Sequence, residues 1–121
     1  MKSEAITINR RAYHDYLIED TVEAGLVLTG TEIKSIRTGR MNLGDSFARP
    51  GAGEIWLVGA HIGRYEQGGR YNHEPARPRK LLLHRDEILK LSLMVEKKSL
   101  TLVPLKVYLK RGIAKIELGV A

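Results

Sequence analysis

The last third of the chain carries the feature that most constrains its fold. Leu105, Val107 and Leu109 alternate with Lys106, Tyr108 and Lys110; Arg111-Gly112 follows, and Ala114, Ile116 and Leu118 then alternate with Lys115 and Glu117. Successive strand side chains point to opposite faces, so period two on both sides of a glycine turn predicts a β-hairpin with one core face and one basic face. A second hairpin is expected where β-prone runs at 45–49 and 54–60 flank the turn-rich Pro50-Gly51-Ala52-Gly53.

Elsewhere the pattern is mixed. Residues 16–28 set Val22 and Val27 among acids and read as a strand bent at Gly25, and another strand is expected through 61–65. A short helix over 10–14 would be capped by Asn9, whose side-chain oxygen can accept from free first-turn N–H groups. Thr29-Gly30-Thr31-Glu32 opens a second helix with Ile33 and Ile36 on one face, Glu32, Lys34 and Arg37 on the other, and Gly39 at its stop. In 86–97, Ile88, Leu91 and Val95 keep helical phase while Leu89 and Leu93 widen the stripe, which predicts the longest helix. The stretch 66–79, with its glycines and prolines, reads as an exposed loop. About five to seven short strands with about three helices predict a mainly β fold with α, an antiparallel β-barrel that is OB-fold-like. No repeat or low-complexity tract breaks the chain, so residues 1–121 read as a single domain.

Several chemistries are excluded by what the chain lacks. Without cysteine it has neither disulfides nor thiolate zinc ligands. His14, His61, His73 and His84 fit no metal-site spacing, and there is no G-x-S-x-G elbow, Walker loop or G-x-G-x-x-G fingerprint. The reading is therefore a non-enzyme without cofactor or metal. Residues 1–11 have no apolar signal core and no run approaches the roughly 18 apolar residues of a membrane span, so a cytoplasmic protein with no membrane partner is expected.

Charge supplies the positive evidence. The formal net charge is +6, which suits a polyanionic partner. Arg64, Arg70, Arg77, Arg79, Lys80 and Arg85 cluster against only Glu66 and Glu74, whereas residues 12–33 hold five acids and no Lys or Arg. Arg77-Pro78-Arg79-Lys80 ahead of Leu81-Leu82-Leu83 joins a basic loop to an apolar anchor: either a grip on folded RNA through guanidinium–phosphate contacts or an ordinary solvated loop before a core strand. Leu82 itself reads equally as core. Glu23, on an acidic strand, repels phosphate if merely solvated, but its carboxylate can accept from the edge of a guanine. By local pattern Tyr16 is more often a core or edge residue than a stacking platform.

Five segments, taken together, resemble one known family. They are 9–16 (NRRAYHDY), 23–28 (EAGLVL), 30–37 (GTEIKSIR), 42–47 (NLGDSF) and 77–84 (RPRKLLLH), and in order and spacing they are similar to the small protein B (SmpB), or SsrA-binding protein, family. The resemblance implies an OB-type barrel that binds the tRNA-like domain of transfer-messenger RNA and performs no catalytic step. It implies help in alanine charging, hence an indirect link to alanyl-tRNA synthetase, and travel with elongation factor Tu to a stalled ribosome. There the protein would stand where a tRNA's anticodon arm is missing, and the tagged nascent chain would be released and degraded. It places Tyr16, Glu23 and Leu82 at or beside the RNA surface, with Asn9, Arg10, Arg11, Lys34, Arg37, Arg77, Arg79 and Lys80 as supporting contacts. With so few aromatics, recognition by shape and backbone is expected over a row of stacking platforms. Family members usually continue past Gly-Val-Ala into a basic tail, which this sequence does not include; RNA binding without peptide tagging is the corresponding expectation.

Overall fold

The computed structural model describes residues 4–121. Its elements are β1 (Glu4–Ile8), α1 (Arg10–Asp15), β2 (Asp20–Leu26), α2 (Gly30–Arg37), β3 (Met41–Asn42), β4 (Phe47–Gly51), β5 (Glu54–Val58), β6 (His61–Ile62), a 3-10 segment (Glu66–Tyr71), β7 (Arg79–Leu82), α3 (Arg85–Lys98), β8 (Leu102–Lys110) and β9 (Ile113–Val120). Strands pair in the order β1-β8-β4-β5-β7-β2-β9, and β8 also pairs with β9. The six strands β8-β4-β5-β7-β2-β9 thus close into an antiparallel barrel, while β1 pairs with the β4-side edge of β8. Closure removes the open sheet edges that a meander of this length would leave unpaired.

The terminal hairpin forms as its alternation requires. Val107 pairs with Ile116 and Leu109 with Ala114, and Arg111 and Gly112 take the left-handed φ values, 54° and 77°, of a tight primed turn. Ala52 and Gly53 do the same between β4 and β5. Inward positions of every barrel strand supply the core: Ala24, Ala48, Ile55, Leu57, Leu81, Val107, Ile116 and Leu118 are all buried. Each large apolar chain among them contributes roughly 1.5–3 kcal/mol of transfer free energy. Ile33 and Ile36 of α2 and Leu91 of α3 join the same core.

Pro104 lacks an N–H for the ladder, and the β8–β9 register shifts between Pro104 and Lys106. The carbonyls of Pro104 and Leu105 accept from Asn9, the first from its side-chain amide at 2.9 Å and the second from its backbone N–H at 2.7 Å. Asn9 also accepts from the Ala12 N–H at 3.2 Å, so one buried side chain caps α1 and seats it on the bulge.

Four expectations need correcting. The strand predicted over 16–28 begins at Asp20, because Ile18 turns under to pack with Ala12, Val103 and Leu105. Gly25 is no bend: it pairs with Lys115 on one side and Leu82 on the other, and a Cβ there would lie 3.1 Å from the Leu82 Cβ. The strand predicted through 61–65 is only the two-residue β6, paired with β3. Leu89 and Leu93 of α3 face outward, so the stripe is not widened: Leu91 is buried and Ile88, Met94 and Val95 pack beside it against the core.

Candidate nucleic-acid interface

The basic loop is anchored from inside. Thr29 and Glu32 form the capping box that starts α2, the Thr29 hydroxyl accepting from the Glu32 N–H and the Glu32 Oε1 accepting from the Thr29 N–H at 2.8 Å. The same carboxylate, fully buried, accepts from Arg77 Nε at 3.0 Å and Nη2 at 2.5 Å and from Arg79 Nε at 2.8 Å. Arg79 also donates to the carbonyls of Ala60 and Pro75, at 2.8 and 3.0 Å. Burial pushes the Glu32 carboxyl up, but the bonds from Arg77, the Thr29 N–H and Arg79 outweigh it and hold the group below its usual range. Burial lowers the Arg79 guanidinium's proton affinity, which Glu32 partly restores.

Two sequence expectations fail here for one reason. Glu32 does not lie on the exposed face of α2, and Arg79 does not point to solvent with Arg77 and Lys80. Parity along β7 turns Arg79 and Leu81 inward and Lys80 and Leu82 outward. A buried guanidinium must be paired, so its charge is spent on Glu32 and it is no phosphate contact. Nor is the segment 66–79 a wholly exposed loop: His73 is buried between the Thr31 hydroxyl and the Ile62 carbonyl, each 2.9 Å away.

The outer barrel surface carries the second group. Glu23 lies opposite Glu117, a like-charge pair that on its own would be unfavourable. Lys106 Nζ stands 3.7 Å from Glu117 and Lys110 Nζ 3.8 Å from Glu23, which offsets it. Tyr108 donates its hydroxyl to the other Glu23 oxygen, and burial first, then that hydrogen bond and the Glu23 charge, push the phenol well above its ordinary range. The Glu23 side chain is 41% exposed, and a carboxylate has about four acceptor positions, so it keeps capacity toward a ligand. Leu82, 56% exposed, lies across Gly25, two residues along the strand from Glu23. Leu82 is therefore a surface ledge rather than core.

The remaining candidates fall into two places. Arg10, Arg11 and Tyr16 are exposed around α1, Arg11 facing Asp15 at 3.4 Å and Asp45 at 3.8 Å, while Asn9 is committed to the cap. Lys34 and Arg37 are exposed on α2, Lys34 5.7 Å from the centre of the Tyr65 ring. Arg77, one third exposed, is tied to that helix by Glu32, so the structure brings Lys34, Arg37 and Arg77 onto one braced unit. Tyr108 was missed by sequence reasoning, since alternation shows only that it faces away from the hairpin's apolar side.

A closed antiparallel barrel with excess positive charge, an outward carboxylate held in place and an apolar ledge beside it makes an OB-like protein whose surface suits a polyanion. The family described as SmpB protein matches residues 6–121. The chain belongs to that family, the SsrA-binding proteins. The SsrA-binding protein of Desulfitobacterium hafniense is 62% identical over 123 residues, spanning 99% of this chain and 79% of the relative. That of Geobacillus kaustophilus is 61% identical over 120 residues, spanning 99% and 77%. A chain from the solved structure described as "tmRNA-SmpB: a journey to the center of the bacterial ribosome" superposes with a TM-score of 0.77 at 51% identity, over 94% of this chain and 80% of the other.

Proposed function

We propose that this chain binds the tRNA-like domain of transfer-messenger RNA and escorts it to stalled ribosomes for trans-translation. The observation that carries the reading is its likeness, in fold and in half of its residues, to the chain of the tmRNA–SmpB structure. Residues 1–121 act as one RNA-binding domain, by binding and not by catalysis. Elongation factor Tu and alanyl-tRNA synthetase meet it only through the RNA. The cytoplasm is its place of work, and among the described residues no helix is long and apolar enough to cross a membrane.

In this reading Glu23 accepts from a base edge beside the Leu82 ledge. Tyr16, Arg10 and Arg11 extend the contact around α1, and Lys34, Arg37, Arg77 and Lys80 meet phosphates as donors and point charges. Asn9 and Arg79 contribute from within, by holding α1 and the 72–78 segment in position. Competition binding at fixed ionic strength tests it, with labelled tRNA-like domain challenged by tRNA and by single-stranded DNA. The tRNA-like domain should resist both competitors; equal competition by single-stranded DNA would reject structured-RNA recognition.

A further inference from the structure

Arg49, Trp56 and Lys80 stand in register across β4, β5 and β7, Arg49 facing Trp56 and Trp56 facing Lys80. Their strand neighbours Ala48, Ile55, Leu57 and Leu81 are buried, so parity turns the three outward, onto the face where Leu82 follows Lys80 by two residues. Side chains directly opposite one another lie about 5 Å apart, which makes this one cation–aromatic–cation strip. The indole is also oriented: Trp56 Nε1 donates to the Gly51 carbonyl at 2.8 Å, and a Cβ at Gly51 would lie 3.4 Å from the Trp56 Cδ1. Arg49 is exposed and has no salt bridge among the described residues. Lys80 lies 3.6 Å from Glu54, so one of the two positive charges is offset and the strip remains cationic.

We propose that Arg49, Trp56 and Lys80 form an RNA-contact strip, in which an unpaired base of the same structured RNA lies on the Trp56 indole and its flanking phosphates meet Arg49 and Lys80. The inference rests on the tRNA-like RNA reading of the Glu23–Leu82 face and extends that footprint across β7 and β5. Continuity with Leu82 favours the same RNA over ribosomal RNA. An aromatic ring between two cations matches a nucleotide, whose π-face and phosphates present the complementary chemistry. A single fixed ring suits one base, not a stacked run.

Trp56 is the only tryptophan in the chain, so its emission reports this strip alone. Unlabelled tRNA-like domain, and in a parallel series ribosomal RNA, is titrated into the intact protein while indole emission and its quenching by acrylamide are followed, with binding measured separately by anisotropy of labelled RNA. Emission should fall in step with binding, acrylamide access should drop, and Trp56→Leu should bind about tenfold more weakly, the equivalent of one lost stacking contact. Arg49→Ala, which leaves the indole and the core untouched, should weaken binding a few-fold at low salt and less at high salt. Normal binding with Trp56 as accessible as before and Arg49→Ala equal to the parent would overturn the strip and leave the proposed function standing. Protection by ribosomal RNA but not by the tRNA-like domain would overturn the assignment of partner. No binding to the tRNA-like domain at all would remove both readings.

Discussion

Replacing Glu32 with glutamine keeps the shape of the side chain and deletes the charge that neutralises Arg79. Both partners are fully buried, and breaking such a pair from one side costs roughly 3–5 kcal/mol because the other charge is left uncompensated. Arg79 keeps the Ala60 and Pro75 carbonyls, and the glutamine oxygen still accepts, so the low end, about 3 kcal/mol, is expected. At roughly 3–5 °C per kcal/mol for a chain of this size, the melting temperature should fall by about 10–15 °C. Arg77→Ala, which removes a partner one third exposed, should cost only about 1 kcal/mol. The Glu32 carboxyl is held below its usual range in the folded chain, so the stability it contributes is fully present above the unfolded value of about 4.3 and is lost as pH falls through the depressed folded value. The gap between parent and Glu32→Gln, read by urea unfolding, should therefore be constant from near pH 7 to about pH 5 and narrow toward about pH 3. A variant within about 0.5 kcal/mol of the parent at neutral pH, or a gap that persists unchanged in acid, would refute the charge-pair argument.

Three further outcomes follow from the same geometry. Glu23→Gln should weaken binding of the tRNA-like domain by about 1–3 kcal/mol, and Tyr108→Phe, which frees the carboxylate, by about 1 kcal/mol, with thermal unfolding reported alongside; stronger binding by Glu23→Gln would mean the acid only repels phosphate. Arg77→Ala combined with Lys80→Ala should make the slope of log K against log salt shallower by up to about one per lost phosphate contact, whereas Arg79→Ala should show itself first as lost stability; a folded, fully stable Arg79→Ala would contradict its buried role. Gly25→Ala should destabilise the barrel by about 1 kcal/mol or more and displace Leu82, because the new methyl meets the Leu82 Cβ at 3.1 Å; unchanged unfolding would show that the Leu82 ledge yields freely.

Local signals made much of the barrel readable. The terminal hairpin is visible from alternation about Arg111-Gly112 and the other from a turn-rich tetrad between β-prone runs, both signals local in the chain, and Asn9, Thr29 and Gly39 mark helix ends by chemistry that reaches no further than one turn. The family was also legible from segment order, since it rests on residue identity and needs no coordinates. What sequence did not determine was the partner of each charge. Glu32 and Arg79 lie 47 positions apart, and Tyr108 and Glu23 85, and each pair meets only when the barrel closes. In the basic run Arg77-Pro78-Arg79-Lys80, every cation looks equally available until strand register turns one of them inward. The row Arg49–Trp56–Lys80 likewise exists only across three strands. Patterns of period two and 3.6 are local and survive in a string, whereas the pairing of a buried charge is fixed by the desolvation cost that tertiary packing imposes.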